Sequence, residues 1–201
     1  QYLARDDERI APNIFHCTWS APSLGVINGQ PVIFFCGGNG TVYGFEPLPT
    51  NEAGRAVPGA PPSSATPRRG EDTAPYRADD IRKLKKIFEF DFVPTAPKTE
   101  VHRYTTNRRE GPSNIFGMPV FLDGKLYVAG GGDIFWGKNE AWLKCIDVSR
   151  TSERVQTNAL WTYALEKHVL STPAIHNGLV FISDCGRKMH CVEAATGKVI
   201  W

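Results

Sequence analysis

Three short apolar runs, each opened by a proline and closed by Asn-Gly or Asp-Gly, punctuate the chain. They are Ala21-Pro22-Ser23-Leu24-Gly25-Val26-Ile27-Asn28-Gly29, Met118-Pro119-Val120-Phe121-Leu122-Asp123-Gly124 and Thr172-Pro173-Ala174-Ile175-His176-Asn177-Gly178. A two-residue hairpin turn needs positive φ at both central positions, which these pairs accept at least cost, so each run predicts the first strand of a hairpin. Second strands rich in β-branched and aromatic residues follow at Pro31 to Phe35, Lys125 to Ala129 and Leu179 to Ser183. Each is closed by a glycine-containing turn, namely Gly37 to Gly40, the longer Gly130 to Glu140, and Asp184 to Lys188. Thr41 to Phe45, Leu143 to Asp147 and Met189 to Glu193 fill a third slot. The fourth carries a central aromatic, in Ala159-Leu160-Trp161-Thr162-Tyr163 and in Lys86 to Asp91.

The unit is therefore a meander of antiparallel strands. Trp161 and Trp201 stand 40 residues apart, the length of one four-stranded propeller blade. The pattern predicts an all-β chain, a β-propeller of four-stranded antiparallel blades, present here as about three. The expected organisation is one partial propeller over 1–201: a first blade at 14–93 with a flexible insertion at 47–78, a second at 113–165 and a truncated third at 170–201. Three blades do not close a ring, so the sequence reads as part of a longer chain. The insertion holds seven of the 15 prolines between Pro47 and Pro75 and almost no large apolar residues, too little to offset its ordering entropy. Asp79 to Lys86 reads as a helical turn or a strand approach.

Composition adds few constraints. A net charge of +2 gives no field that would recruit nucleic acid or an anionic membrane, and the longest apolar runs fall far short of the ~20 residues needed to span a bilayer. Arg5, Asp6, Asp7, Glu8 and Arg9 stand where a signal peptide would need an apolar core, so either the export signal is absent or it lies upstream. Cys17, Cys36, Cys145, Cys185 and Cys191 are an odd set without CxxC spacing and read as free, half-buried thiols, with Cys185 and Cys191 the nearest pair if one bridge forms.

Candidate chemistry is thin. Gly37 to Gly40 and Gly130 to Gly132 lack the Lys-Ser/Thr of a phosphate loop and read as turns. Asp133, Asn139 and Glu140 offer oxygens of the kind calcium prefers, but not at EF-hand spacing. His16, His102, His168, His176 and His190 are scattered without metal-ligand spacing. Ser171 and Ser183 lack a GxSxG setting. No catalytic residue, metal ligand or cofactor-binding residue is assigned. The run Asp6, Asp7 and Glu8 and the cluster Arg82, Lys83, Lys85 and Lys86 read as solvated charge. Most aromatics, Trp19, Phe34, Phe35, Tyr43 and Trp142 among them, are assigned to blade packing, and Phe135-Trp136 in a glycine-flanked loop to folding back on the core, with rim contact to a sugar, a peptide or a protein as the alternative.

Strand, Asn/Asp-Gly, strand, Gly turn, strand and then Ala194-Ala195-Thr196-Gly197-Lys198-Val199-Ile200-Trp201 resembles the repeat of pyrroloquinoline-quinone (PQQ)-like propellers. The resemblance implies that Trp161 and Trp201 pack between neighbouring blades. Further wording, Ile14 to Ser20, Arg109 to Ser113 and Leu143 to Asp147, is similar to a group of exported propeller proteins of planctomycete-like bacteria, which implies a periplasmic or extracellular location. Quinoprotein dehydrogenases of the wider family hold PQQ with a stacking tryptophan, a vicinal Cys-Cys ring and Glu, Asn and Asp ligands to calcium. No adjacent cysteines occur here. The reading is a non-enzymatic propeller that binds a protein or small ligand at its rim or channel. The alternative is a PQQ-dependent alcohol or sugar dehydrogenase whose cofactor residues lie on other blades.

Overall fold

The three predicted hairpins form as the turn chemistry requires. In a computed structural model that describes residues 4–48, 81–133, 138–149 and 155–201, Asn28, Asp123 and Asn177 all take φ of 48 to 49°, and the glycines after them 73 to 77°. Strands β1 (Ala4–Arg5) to β4 cover the first repeat, with β2 at Ser23–Ile27, β3 at Gln30–Cys36 and β4 at Thr41–Phe45. They are followed by β5 (Arg82–Lys83) and β6 (Lys86–Asp91). The second repeat supplies β7 (Val120–Leu122), β8 (Lys125–Gly131), β9 (Ala141–Asp147) and β10 (Trp161–Leu165), and the third β11 (Ala174–His176), β12 (Leu179–Ser183) and β13 (Met189–Glu193). Two four-stranded sheets result, ordered β2-β3-β4-β6 and β7-β8-β9-β10, with a three-stranded sheet β11-β12-β13. Val199 bridges Val192 where a fourth strand of that sheet would begin. Among the described residues only short 3-10 turns interrupt the strands; none is a helix long and apolar enough to cross a membrane.

The sheets stack face to face through side chains that alternate along each strand. Val32, Phe34, Val42, Phe88 and Phe90 of the first sheet meet Leu126, Val128 and Ile146 of the second in one core. On the opposite face of β8 and β9, Tyr127, Ala129, Leu143 and Cys145 meet Val180, Ile182 and Val192 of the third sheet in another. The second sheet is therefore buried on both faces, which is why β8 reads as an almost unbroken apolar run. Inner strands β2 and β7 approach at Gly25, where a Cβ would come within 2.6 Å of the Phe121 ring. At the outer rim Gln156 bridges Phe90 in parallel, so the loop before β10 pairs with the edge of the first sheet.

Two stretches read as unpatterned charge acquire structure. β1 pairs in parallel with β5, so the described part of that stretch, from Ile81 to Lys86, is a strand approach, while Asp79 and Asp80 lie outside the described residues. The acidic run meets the basic cluster there: Lys83 pairs with Asp7 at 2.5 Å, and Lys86 with Glu8 and Glu89 at 2.5 Å each. Lys85 pairs with Glu46 at 2.8 Å. Lys83, Lys85 and Asp7 remain exposed as solvated charge; the sequence reading is corrected only for Lys86 and Glu8, which pair half-buried against the blade. The insertion from residue 49 onward and the Phe135-Trp136 pair lie outside the described residues.

Candidate functional site

The Asn-Gly and Asp-Gly turns stand at one end of the sheets, so the β3–β4, β8–β9 and β12–β13 turns and the connectors entering β2, β7 and β11 share the other end. The polar chemistry collects on this connector face. Each turn buries a polar side chain: Asn39, Asp133 and Asp184. Asn39 donates to Tyr43 Oη at 2.8 Å and accepts from the Thr41 N–H. Asp184 accepts the backbone N–H groups of Lys167, Gly186 and Lys188 and sits 3.3 Å from His190 Nε2. With Nε2–H donating, His190 Nδ1 accepts from Tyr163 Oη at 2.9 Å, which links the third sheet to the second. Burial alone would raise the Asp184 carboxyl; the Lys188 N–H, the His190 ring and the Gly186 N–H outweigh it and hold the group below its ordinary value.

Asp133 accepts from Asn114 Nδ2 at 3.1 Å and lies 2.8 Å from His16 Nδ1. An ionised carboxylate only accepts, so the ring turns its Nδ1–H toward Asp133, which orients the imidazole. His16 comes from the connector before β2, Asn114 from the one before β7, and Asp133 from the β8–β9 turn, so three segments meet. Asn114 Oδ1 and Ser113 Oγ beside it are buried without a hydrogen-bond partner. Next to His16 the indole of Trp19 stands 54% exposed and packs on Phe116 at 5.3 Å. Its assignment to blade packing is corrected: the ring rests on Phe116 and His16, and more than half of the residue is exposed.

Asp133 is thus separated in role from Asn139 and Glu140, which are exposed and line a cavity of about 350 Å³ with Arg109 and Lys138. Among the described residues no three His, Cys, Asp or Glu side chains gather as metal ligands would. Ser171 Oγ donates to the Ser183 carbonyl at 2.6 Å, a tie between strand ends. All five cysteines are free thiols, and burial pushes the Cys36 thiol up to about 12. The sequence missed the His16–Asp133 and Asp184–His190 pairs. The repeat itself held the signal, a polar residue in each second turn, but which partner each meets depends on how the sheets stack.

Trp161 lies against Gly197, where a Cβ would fall 2.7 Å from the indole, and Nε1–H donates to the Ala194 carbonyl at 3.0 Å. This docks the last strand of one sheet onto the next, as the resemblance implied for Trp161, whereas Trp201 stands more than half exposed beside Phe181. The chain superposes on the crystal structure of BamB from Moraxella catarrhalis with a TM-score of 0.52 at 12% identity, over 94% of this chain and 39% of that one. The fold is that of a β-propeller. The sheets described here do not close into a ring. In sequence, the chain is 24% identical over 132 residues to tetrathionate hydrolase of Acidithiobacillus ferrooxidans, covering 55% of this chain and 26% of that protein. It therefore spans about a quarter of that curated relative and about two fifths of the solved structure. No family profile matches the chain.

The inner strands Ser23–Ile27, Val120–Leu122 and Ala174–His176 carry no Lys or Arg. PQQ is an anionic tricarboxylate and needs cations or a metal to offset its desolvation. Of the candidates elsewhere, Lys188 is paired with Glu166 at 2.6 Å, Arg187 lies exposed in a turn, and Lys125 and Lys144 stand on β8 and β9 rather than on an inner strand. Among the described residues the inner strands therefore offer that cofactor no cation.

Proposed function

We propose that the chain is a propeller module of an exported protein and acts as a non-enzymatic binding or scaffold unit. It takes a protein or small ligand on the connector face. The observation that carries this reading is the Trp19 platform: a large aromatic held by Phe116, more than half exposed, beside an imidazole oriented by a buried carboxylate. Aromatic residues held in place yet partly exposed are the anchors of protein interfaces. The likeness to BamB supports the scaffold.

A test is to place a photo-reactive phenylalanine analogue at position 19 of the full-length protein in its native envelope. The expected result is one dominant cross-linked species that a probe at Lys83, on the ion-paired rim, does not give. Equal labelling from both positions overturns the reading. The likeness to tetrathionate hydrolase favours a second reading, an enzyme acting on a small anion. Turnover of tetrathionate by the full-length protein would select that reading, and dye reduction with PQQ, calcium and an alcohol would select the dehydrogenase.

A further inference from the structure

We propose that Lys98, Lys138 and Lys144 form a site for a small divalent oxoanion at the connector end of the cleft between the first and second sheets. The three come from separate segments: the connector after β6, the β8–β9 turn and the middle of β9. All three are half-buried, and each ammonium is pinned by a carbonyl of one connector. Lys144 Nζ donates to Phe92 O at 2.5 Å, Lys98 Nζ to Val93 O at 3.2 Å and Lys138 Nζ to Gly111 O at 2.8 Å. An ammonium has three N–H donors, so each keeps capacity for an oxygen ligand.

The charges do not balance. Lys98 pairs with Asp91 at 2.7 Å; among the described residues neither Lys138 nor Lys144 has a carboxylate oxygen within 4.0 Å. Lys144 instead sits over Phe92 at 4.8 Å, with Phe90 and Trp142 at 5.8 and 5.9 Å. Burial pulls Lys138 and Lys144 below the ordinary lysine value, partly offset by Glu140 and Asp91 respectively, and the charge of Lys98 lowers both further. Three cations facing Asp91 and Glu140 leave a surplus of one, and Arg109 on the adjoining cavity wall makes it two. A surplus this size, on ammoniums already fixed in place, is matched by an anion of two charges with several oxygens, such as sulfate, thiosulfate or phosphate. The inner strands, without a cation, offer such an anion nothing, so the site lies off the propeller axis.

The test is calorimetric titration of the full chain with sulfate, thiosulfate and phosphate, each against chloride at equal ionic strength. The expected result is saturable one-to-one binding of at least one of the three. Lys138→Gln and Lys98→Gln should each weaken it by about tenfold, and Lys83→Gln, on the far rim, should not. Binding that chloride reproduces overturns the proposal, and so does binding unchanged in both site variants. Should Lys144→Met fail to fold, those two variants carry the test. The readout needs no partner protein, so it stands or falls apart from the Trp19 platform.

Discussion

The two clefts between sheets are built from the same repeat but end differently. Between the second and third sheets one chain of polar groups closes on itself, although His168 Nδ1 nearby is buried without a partner: Tyr163 donates to His190, His190 to Asp184, and Asp184 takes three backbone N–H groups. Trp161 on Gly197 locks the other side. Between the first and second sheets the core is larger and more aromatic, with Phe34, Phe88 and Phe90 fully buried, yet its connector end carries lysines in excess of carboxylates. Where a polar network is closed it holds sheets together; where it is open, something else can complete it. The comparison separates structural polarity from binding polarity within one fold.

The largest effect should come from the aromatic core. Phe34→Ala removes a ring that stacks on Phe121 at 5.7 Å and meets Phe88 edge-on at 6.3 Å. The expected loss is about 3–5 kcal/mol, read as a fall in the urea midpoint. A loss below about 1 kcal/mol would show that the first cleft collapses around the gap.

Next is the closed network. Asp184→Ala leaves three backbone N–H groups and a buried imidazole without their acceptor, at an expected cost of about 1–3 kcal/mol. Because folding holds the Asp184 carboxyl below its ordinary value, its contribution is present above the unfolded carboxylate range and is lost as pH falls through the lowered value. The gap between wild type and Asp184→Asn in an acid titration of stability should therefore narrow as pH drops. A gap that widened would overturn the lowered Asp184 carboxyl.

Much of the fold could be read along the chain because its signals are local. Asn28-Gly29, Asp123-Gly124 and Asn177-Gly178 each specify a turn by themselves, and alternation then assigns the strands on either side. The candidate site could not be read that way. His16 and Asp133 are 117 residues apart, and the three lysines converge only once two sheets and a connector are placed. Charge pairing was hidden for the same reason. Glu8 and Lys86 look solvated in sequence, yet they meet half-buried once β1 stands beside β5.

Gly197→Ala probes the interlock at smaller scale. Gly197 has φ of 72° and faces the Trp161 indole, so a methyl group adds backbone strain and a clash, together about 1–3 kcal/mol. Thermal unfolding followed by tryptophan fluorescence should show an earlier transition and a red-shifted native spectrum as Trp161 is displaced. An unchanged spectrum would place the sheet docking elsewhere.

The smallest effect should fall on the open cleft. Lys144 is a half-buried cation without a carboxylate in contact, packed on Phe92 and tied to its carbonyl. Replacing it with methionine keeps the apolar stem and removes the desolvated charge, while the Phe92 carbonyl loses a donor. These terms oppose each other, so Lys144→Met in chloride buffer should change stability by less than about 1 kcal/mol. In buffer containing the bound oxoanion the comparison should shift, because the anion stabilises only the wild type and its contribution grows with concentration. Paired unfolding curves of wild type and Lys144→Met in chloride and in sulfate at equal ionic strength measure this directly. A penalty above about 2 kcal/mol that is equal in both salts would make Lys144 a structural pin of the same kind as Asp184, and the two clefts would then differ in composition but not in purpose.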